Sequence, residues 1–492
     1  MNRLNKLSKF RGLLVNEYVK ILNQISTKIM LIVIILTAAG FNALMHFVDT
    51  QTHHHSTFGN TVADVISDLQ RHQPEGWERL VEMYTYMDQL NIPPFAIHRD
   101  PSGWRSHAAQ LLFNVKWITE DGFFDDDAQL YRSVQTNITD ALDRAIRSND
   151  FIMYTRVQLD WYTLRPENPF DYNIQLPAAL ISASEIDIWS FNQVIEHNAT
   201  PGTWQLDVIE QIAQAKFRIA HEEMMGDDIE SEVTAAAREI ILLGEYRLTH
   251  GIRSYTYDGI ENATMISGGL VSGGSRFWDV FASTVFSIGL LSVLMIVVAG
   301  RILSSEFSAG TVKFLLINPA KRWKIFMAKY VTVLSLGLAM LAALYISNLI
   351  FAGIFFGFSD IGVPHLSVVD GTIVRSSSIL YVASRYLLGA VSMLCMATFA
   401  FAVSSIVRSS ALAIGLGVCL YFAGSIAVNI LSAFGFYWAR YILFANTDIL
   451  AVINGTTGFV NHTLVFALIN IAAYMAVFIL TAWDGFVRAE IK

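Results

Sequence analysis

A basic stretch from Arg301 to Lys329 carries the most patterned charges of this chain and lies between two long apolar segments. It holds one acid, Glu306, and six basic residues: Arg301, Lys313, Lys321, Arg322, Lys324 and Lys329. Its apolar run, Phe314–Ile317, is broken by Asn318 and Pro319. Such side chains make ion pairs and apolar contacts, so the pattern predicts a short helix suited to pressing on a partner protein.

Side chains that could carry protons or ions inside a membrane are nearly absent from the sequence. No carboxylate lies deep in an apolar segment, and Arg385 sits at a segment edge, from which its side chain can reach water. No G-x-x-x-x-G-K-[ST] motif occurs, so the chain has no phosphate-binding loop of that kind. Three adjacent histidines, His53 to His55, are either metal ligands or a polar linker; we favour the linker and predict no metal site.

The elements that must position these residues are six apolar segments, each long enough to cross a bilayer. The chain has 492 residues and is 53% hydrophobic, which is too apolar for an ordinary soluble protein of this length. We therefore predict an all-α polytopic membrane protein. The predicted spans are Ile29–Val48, Phe281–Gly300, Tyr330–Phe356, Tyr386–Ser405, Ala411–Leu431 and Thr463–Ala482.

The distribution of basic residues predicts the orientation of the spans. Residues 1–28 carry an excess of lysine and arginine, as do residues 301–329, and such segments stay on the cytoplasmic side. Arg408, between the fourth and fifth spans, agrees with this assignment. We expect both termini in the cytoplasm, including the tail 483–492, in a plasma membrane.

Residues 49–276 differ in composition from the rest of the chain, because most of its 42 acidic residues lie there. Apolar residues at helical spacing, as in Ala128–Ser148, predict helices, and no strong strand alternation appears. The topology places this segment outside the cell. The acidic residues of this segment either create an electrostatic field that attracts cationic substrates or only form a solvated surface that keeps the segment soluble.

Two further features concern the membrane part of the chain, which we predict to comprise residues 29–48 and 277–482. Phe10–Leu22 has an amphipathic stripe and reads either as a helix lying in the inner interface or as the start of the first span. Asparagines inside the spans are candidate polar positions on a substrate path, or they only bond neighbouring helices. They are Asn42, Asn348, Asn429 and Asn470.

Four segments resemble the permease subunits of ABC-2-type ABC transporters, the type V exporter fold. They are NEYVKI (Asn16–Ile21), EFSAGTVKFLLINPAKRWKIFMAKY (Glu306–Tyr330), SSIVRSSALAI (Ser404–Ile414) and FVRAEI (Phe486–Ile491). The resemblance covers roughly residues 1–50 and 277–492. Compact members of that family have only a short connection where this chain has residues 49–276.

The resemblance implies an N-terminal elbow helix, with Phe10, Leu14, Glu17 and Tyr18, and a coupling helix between the second and third spans. The implied coupling residues are Glu306, Gly310, Thr311, Lys313, Leu316, Pro319, Arg322 and Trp323. The coupling helix would dock on a separate ABC ATPase subunit, which binds the ATP and Mg. The chain itself would bind no cofactor. The resemblance also implies two other partners, a second permease copy or paralogue and membrane lipid. It implies no nucleic-acid partner.

The function expected from the resemblance is that of a transport subunit, not an enzyme, which moves a peptide or an amphipathic compound outward. The implied substrate path passes Asn42, Asn348 and Asn429. Two alternatives remain. The chain is a ligand-sensing or immunity membrane protein with little transport, or it is a sodium or ion efflux permease, which the absence of buried charge argues against.

Overall fold

The structure, a computed structural model, describes residues 2–54, 61–74, 76–94, 103–120, 128–164, 178–225, 232–257, 276–308, 322–369, 371–407 and 409–487. They divide into two compact units. Unit 1 comprises residues 1–48, 276–362 and 377–492, and unit 2 comprises residues 49–275 and 363–376.

The helices are numbered in chain order. Those up to residue 250 are α1 (Asn2–Leu22), α2 (Ile25–His54), α3 (Val62–His72), α4 (Trp77–Gln89), α5 (Trp104–Glu120), α6 (Ala128–Ser148), α7 (Phe151–Leu164), α8 (Ala178–Glu196), α9 (Trp204–Met225) and α10 (Glu232–His250). Those that follow are α11 (Arg276–Ser283), α12 (Ile288–Ile302), α13 (Ser304–Ser308), α14 (Arg322–Phe356), α15 (Ser378–Val407), α16 (Ser410–Ala433), α17 (Leu443–Asn446), α18 (Ile449–Ile453) and α19 (Leu464–Val487). Two 3-10 helices, Thr284–Ser287 and Tyr437–Tyr441, and the strands β1 (Pro364–Val369) and β2 (Thr372–Ser377) complete the described elements.

Within the described residues, six helical segments of unit 1 are long and apolar enough to cross a membrane, which confirms a mostly helical, multi-pass membrane protein. Spans 1 to 6 are Ile25–Val48, Phe277–Glu306, Arg322–Phe356, Ser378–Val407, Ser410–Ala433 and Leu464–Phe486. They agree with the six predicted spans, and each of them extends beyond the predicted bounds at one end or at both ends. The predicted loop 301–329 is therefore too long: its last eight residues, 322–329, are the start of span 3.

The early start of span 3 follows from its sequence. After Pro319, the residues from Arg322 onward contain no helix breaker, and Ile325, Phe326 and Lys329 share one helical face, which is buried. The basic residues among them favoured a loop in the sequence analysis. The structure shows that helical periodicity, not charge, decides where the helix begins.

Span 1 is buried along one stripe only. Thr27, Met30, Ile34, Ala38 and Asn42 recur every three or four residues and are each at most 5% exposed. Large apolar side chains between them, such as those of Ile32 and Leu36, are more than half exposed. The stripe fixes the rotation of span 1 and turns Asn42 towards the other spans.

Unit 2 is built mainly from α3–α10, and adjacent helices along the chain pack together. One apolar core joins α4 to α7 through residues such as Met87, Ala108 and Leu142, which are fully buried. Further cores lie between α8 and α9 and between α9 and α10. This confirms the helical prediction for most of the acidic segment.

A hairpin that belongs to unit 2 lies far from it in sequence. Strands β1 and β2 follow span 3, yet Leu366 is buried against Leu243, Ile252 and Tyr255. Thr256 pairs with His365 as a parallel bridge, and the Thr256 Oγ1 lies 2.8 Å from His365 Nδ1. The domain boundary predicted at 49–276 therefore misses residues 363–376, and the all-α description omits this hairpin.

Candidate functional site

A buried ionic cluster joins three segments of unit 1 near one end of its spans. Lys329 of span 3 is 1% exposed, and its Nζ lies 3.0 Å from both carboxylate oxygens of Glu17 and 3.0 Å from Oε1 of Glu306. Lys20 Nζ donates to the same Glu306 oxygen at 2.5 Å. Two lysines and two glutamates therefore form an electrically balanced group, which we call the ionic cluster.

The ionic cluster is arranged so that its buried charges are satisfied. The ammonium group of Lys329 has three donors and makes three contacts with carboxylate oxygens. Glu17 and Glu306 are 9% and 5% exposed, whereas about half of the Lys20 side chain is exposed. Because a buried charge without its partner is strongly unfavourable, the cluster holds α1, the end of span 2 and the start of span 3 together.

Helix α1 is fixed to span 3 by further contacts. The Tyr18 hydroxyl donates to Ser335 Oγ, one and a half turns beyond Lys329 in span 3. Ile21 is buried, and its carbonyl accepts a hydrogen bond from Thr27 at the start of span 1. Leu14 is half-buried in the same helix, which also contains Phe10. Glu17 and Tyr18, two of the predicted elbow residues, thus contact span 3 directly.

The end of span 2 also packs against the turn between spans 4 and 5. The Ser304 backbone N–H donates to Ser404 Oγ at 3.0 Å, and Ser304 Oγ lies 2.7 Å from Ser410 Oγ. A side chain at Gly300 would place its Cβ 2.9 Å from Ile414 Cγ1. Small residues therefore allow these helices to approach closely, as is common between membrane helices.

Span 6 reaches the same region. The Phe326 ring of span 3 is fully buried against Trp483 and Phe486, with ring centroids 5.6 Å and 6.0 Å away. At Gly485, a Cβ would lie 3.1 Å from Ser405 Oγ of span 4. The described residues of the four sequence segments that carry the family resemblance therefore lie close together. They contact one another or residues next to them in the chain, near the two ends of the segment 309–321.

The predicted coupling residues divide into three groups. Gly310, Thr311, Lys313, Leu316 and Pro319 lie outside the described residues. Arg322 and Trp323 are exposed at the start of span 3, next to the segment 309–321, and Lys324 Nζ lies 5.8 Å from the centroid of the Trp323 ring. Glu306 is buried in the ionic cluster, so its carboxylate faces inward to the chain's own lysines.

A second polar group lies within the spans and contains two of the predicted asparagines. Asn42 Nδ2 donates to Asn348 Oδ1 at 3.3 Å, and Asn348 Nδ2 donates to the Tyr386 hydroxyl at 3.1 Å. That hydroxyl lies 2.6 Å from Thr284 Oγ1. Spans 1, 3, 4 and 2 are thus linked in series by buried hydrogen bonds. Asn42 Oδ1 is buried and, within the described part of the chain, accepts no hydrogen bond.

The other singled-out polar residues are not part of this group. Asn429 is exposed on span 5, and Asn470 donates to the Phe466 carbonyl of its own helix at 3.0 Å. Arg385 donates to Asn454 Oδ1 at 3.3 Å, so it ties span 4 to the end of α18. His53 and His54 end α2, and His55 lies outside the described residues.

Replacing Asn348 with leucine should lower the stability of unit 1, because Asn42 and Tyr386 both lose their interhelical partner. We expect a loss of about 0.6–2 kcal/mol, the range for hydrogen bonds between membrane helices. The matched change Asn429→Leu removes an exposed carboxamide of the same size and should leave stability unchanged. Thermal unfolding in detergent compares the two, and equal melting temperatures would contradict the role assigned to Asn348.

Sequence reasoning singled out Glu17 and Glu306 but missed the two lysines of the ionic cluster and the hydroxyls of the polar group. The sequence places Lys329 in the predicted loop 301–329, and Lys20 is one of several basic residues in the segment 1–28. The interpretation that no charge is buried in the membrane part was wrong for Lys329, Glu17 and Glu306. The position of Lys329 on the face of Ile325 and Phe326 is the signal that would have found it.

Comparison with known proteins identifies relatives without assigned activities. The family described as "Protein of unknown function (DUF2705)" matches residues 258–491, a range that begins after α10. "Uncharacterized protein YhcI" of Bacillus subtilis (strain 168) is 32% identical over 290 residues, which cover 58% of this chain and 84% of YhcI. "Uncharacterized membrane protein YdbK" of the same organism is 32% identical over 206 residues, 41% of this chain and 78% of YdbK. No solved structure matches this chain.

Proposed function

We propose that this chain, which belongs to the same family as YhcI and YdbK, is the membrane-spanning permease subunit of an ATP-driven exporter of the ABC-2 type. The observation that carries the proposal is the convergence of four distant segments around the loop 309–321. They are the segments whose sequences resemble that class of permease. A loop framed in this way is suited to receive force from a partner protein and pass it to the spans.

In the proposed orientation, both termini and the loop 309–321 are cytoplasmic, and the helices of unit 2 are extracellular. Helix α1 is the interfacial elbow helix, and the loop contains the coupling helix. A separate ABC ATPase subunit binds ATP and Mg and docks on the loop with the exposed side chains of Arg322 and Trp323. A second permease, identical or related, completes the transporter, and lipid surrounds the spans.

The ionic cluster gives this arrangement a mechanical role. A movement of the loop displaces Glu306 on one side and the start of span 3 on the other, and Lys329 connects both to Glu17 of α1. ATP binding drives the spans between two states only if the ATPase has a different affinity for each state. We propose that the cluster makes α1, span 2 and span 3 respond to the loop as one body.

The proposed cargo is a peptide or an amphipathic compound. Asn42 and Asn348 lie on its path. The Oδ1 of Asn42, which accepts no hydrogen bond from the described residues, offers an acceptor to an N–H or O–H donor. The exposed position of Asn429 gives it no such role within one chain. In this proposal the permease performs no catalysis, and ATP hydrolysis occurs on the partner.

The proposal is tested by isolating the detergent-solubilised protein from its native membranes and identifying associated proteins by mass spectrometry. We expect an ABC ATPase in near-equal amount. The double variant Arg322→Ala, Trp323→Ala should reduce its recovery, and Trp438→Ala, which removes an exposed tryptophan after span 5, should not. Glu306→Ala is unsuitable as a docking variant because it would also break the ionic cluster.

The outcome also separates the alternatives. Reproducible absence of an ATPase, with a signalling protein recovered instead, would favour the ligand-sensing interpretation and overturn the permease proposal. ATP-dependent sodium movement in reconstituted vesicles, with no effect of peptides on ATPase activity, would favour ion efflux. Unchanged ATPase recovery with the double variant would reject Arg322 and Trp323 as docking residues.

A further inference from the structure

An open cleft in unit 2 has a volume of about 490 Å³, which is within the range of small-ligand sites. Three helices, α4, α5 and α6, form its walls. It is lined by Glu82, Thr85, Tyr86, Gln89, Leu112, Phe113, Lys116, Thr139, Asp140 and Asp143. Nothing in the proposed transport role uses this cleft.

The cleft has an aromatic floor that rests on a packed core. The rings of Tyr86 and Phe113 meet edge to face with centroids 5.6 Å apart. Behind them lie Met83 and Leu142, which are at most 4% exposed. Because these side chains belong to the core of α4–α7, the shape of the floor is fixed before any ligand arrives.

Carboxylates stand around this floor. Asp140 and Asp143 lie one turn apart on α6, and Glu82 lies on α4. Partial burial tends to raise the pKa of Asp143, but hydrogen bonds from Arg147 and Tyr86 outweigh it and lower the pKa below its usual value, so this carboxylate is ionised at neutral pH. Asp140 is exposed, and its carboxylate has no partner among the described residues.

One cation of the chain itself shows what the cleft accepts. Lys116 Nζ lies 2.6 Å from Glu82 Oε1 and 5.5 Å from the centroid of the Phe113 ring. A lysine side chain is thus held by a carboxylate and an aromatic face, the two groups that attract an ammonium ion. A second cation of the chain has the same kinds of neighbour: the Arg147 Nε lies 2.8 Å from Asp143 Oδ2, and its guanidinium lies 5.6 Å from the centroid of the Tyr86 ring. The exposed carboxylate of Asp140 borders the rest of the cleft.

We infer that this cleft binds a lysine or arginine side chain of a cationic peptide. The apolar part of that side chain lies on Tyr86 and Phe113, and its charge faces Asp140 and Glu82. The acidic surroundings raise the local concentration of such peptides. The inference concerns unit 2 alone and holds whether the peptide is exported cargo or a sensed ligand.

The test uses the full-length protein in detergent, without ATPase or nucleotide. The probe is a short fluorescein-labelled peptide with two lysines separated by leucines, and its counterpart has glutamines in place of the lysines. Fluorescence anisotropy measures both affinities. We expect the lysine peptide to bind at low salt, more weakly at high salt, and the glutamine peptide to bind much more weakly.

The variants locate the binding. Asp140→Asn and Glu82→Gln should each weaken binding of the lysine peptide by roughly two- to fivefold, as for a partly exposed ion pair. Asp160→Asn removes another exposed acid, on α7 and outside the cleft, and serves as the matched control. A photoreactive group in the peptide should form cross-links with α4–α6.

Three results would overturn the inference. The first is equal weakening by Asp140→Asn and Asp160→Asn, which would show attraction by overall charge only. The second is cross-links confined to the spans, and the third is no binding of the lysine peptide. Each of these results leaves the permease proposal intact, because that proposal depends on recovery of an ATPase. Conversely, absence of the ATPase would leave the peptide affinity of unit 2 unchanged.

Discussion

Replacing Lys329 with methionine should lower the stability of unit 1 by about 3–5 kcal/mol, the cost of removing one partner from a buried ion pair. Glu17 and Glu306 would remain buried as two carboxylates without their shared cation. Lys20, on the exposed side of Glu306, cannot replace the contacts with Glu17. The expected result is a large fall in melting temperature in detergent, together with loss of ATPase association.

A control variant and a rescue variant test whether the loss of stability comes from breaking the ionic cluster rather than from removing a lysine in general. Lys28→Met removes an exposed lysine and should leave the melting temperature unchanged. The triple variant Lys329→Met, Glu17→Gln, Glu306→Gln removes the three deeply buried charges of the ionic cluster and should regain much of the stability, because neutral replacements avoid unpaired ions. If Lys329→Met were as stable as the protein itself, the ionic cluster would have no structural role.

A second large effect is expected for Arg247→Ala in unit 2. Arg247 is 1% exposed; its Nε donates to the Ile252 carbonyl at 3.3 Å and its Nη2 to the Arg253 carbonyl at 2.9 Å. Its guanidinium also lies 4.3 Å from the centroid of the Tyr255 ring. Alanine would leave two carbonyls without their donor and a cavity beside Tyr255, at a cost of about 2–4 kcal/mol.

The position of Arg247 explains where this loss should appear. It lies in the last turn of α10, where Gly251 has a positive φ of 64° and turns the chain towards Tyr255 and the bridge with His365. Hydrogen–deuterium exchange should therefore become faster in residues 252–256 and in the hairpin 364–377, while the spans stay protected. Arg253→Ala changes an exposed side chain and is the control; equal exchange in both variants would contradict the prediction.

Local pattern was sufficient for most of the secondary structure. Six apolar runs predicted six spans, and helical spacing predicted the helices of unit 2, because both signals depend on neighbours within one helix. The residue at which a helix begins is harder to predict from the sequence. Lys329 is an example, because a charged residue near an apolar segment is assigned to a loop unless its distant ion-pair partners are known. The orientation of the spans stays a prediction from the basic residues.

The candidate site required contacts that no local pattern contains. Asn42 and Asn348 were singled out together with Asn429 because all three are polar residues in apolar spans. The structure buries the first two in one hydrogen-bonded group and exposes the third. Helix rotation decides this difference, and rotation depends on which face packs against the other spans.

The sequence by itself determined that this protein is a multi-pass, mostly helical membrane protein with a large acidic insert, because composition and periodicity act over short distances. The tertiary structure alone decided that Glu17, Glu306 and Lys329 share one buried cluster, and that residues 363–376 complete unit 2. In both cases residues about a hundred or more positions apart satisfy each other's charges, hydrogen bonds or apolar surfaces. Such pairing is energetically decisive but leaves no spacing in the sequence from which it can be read.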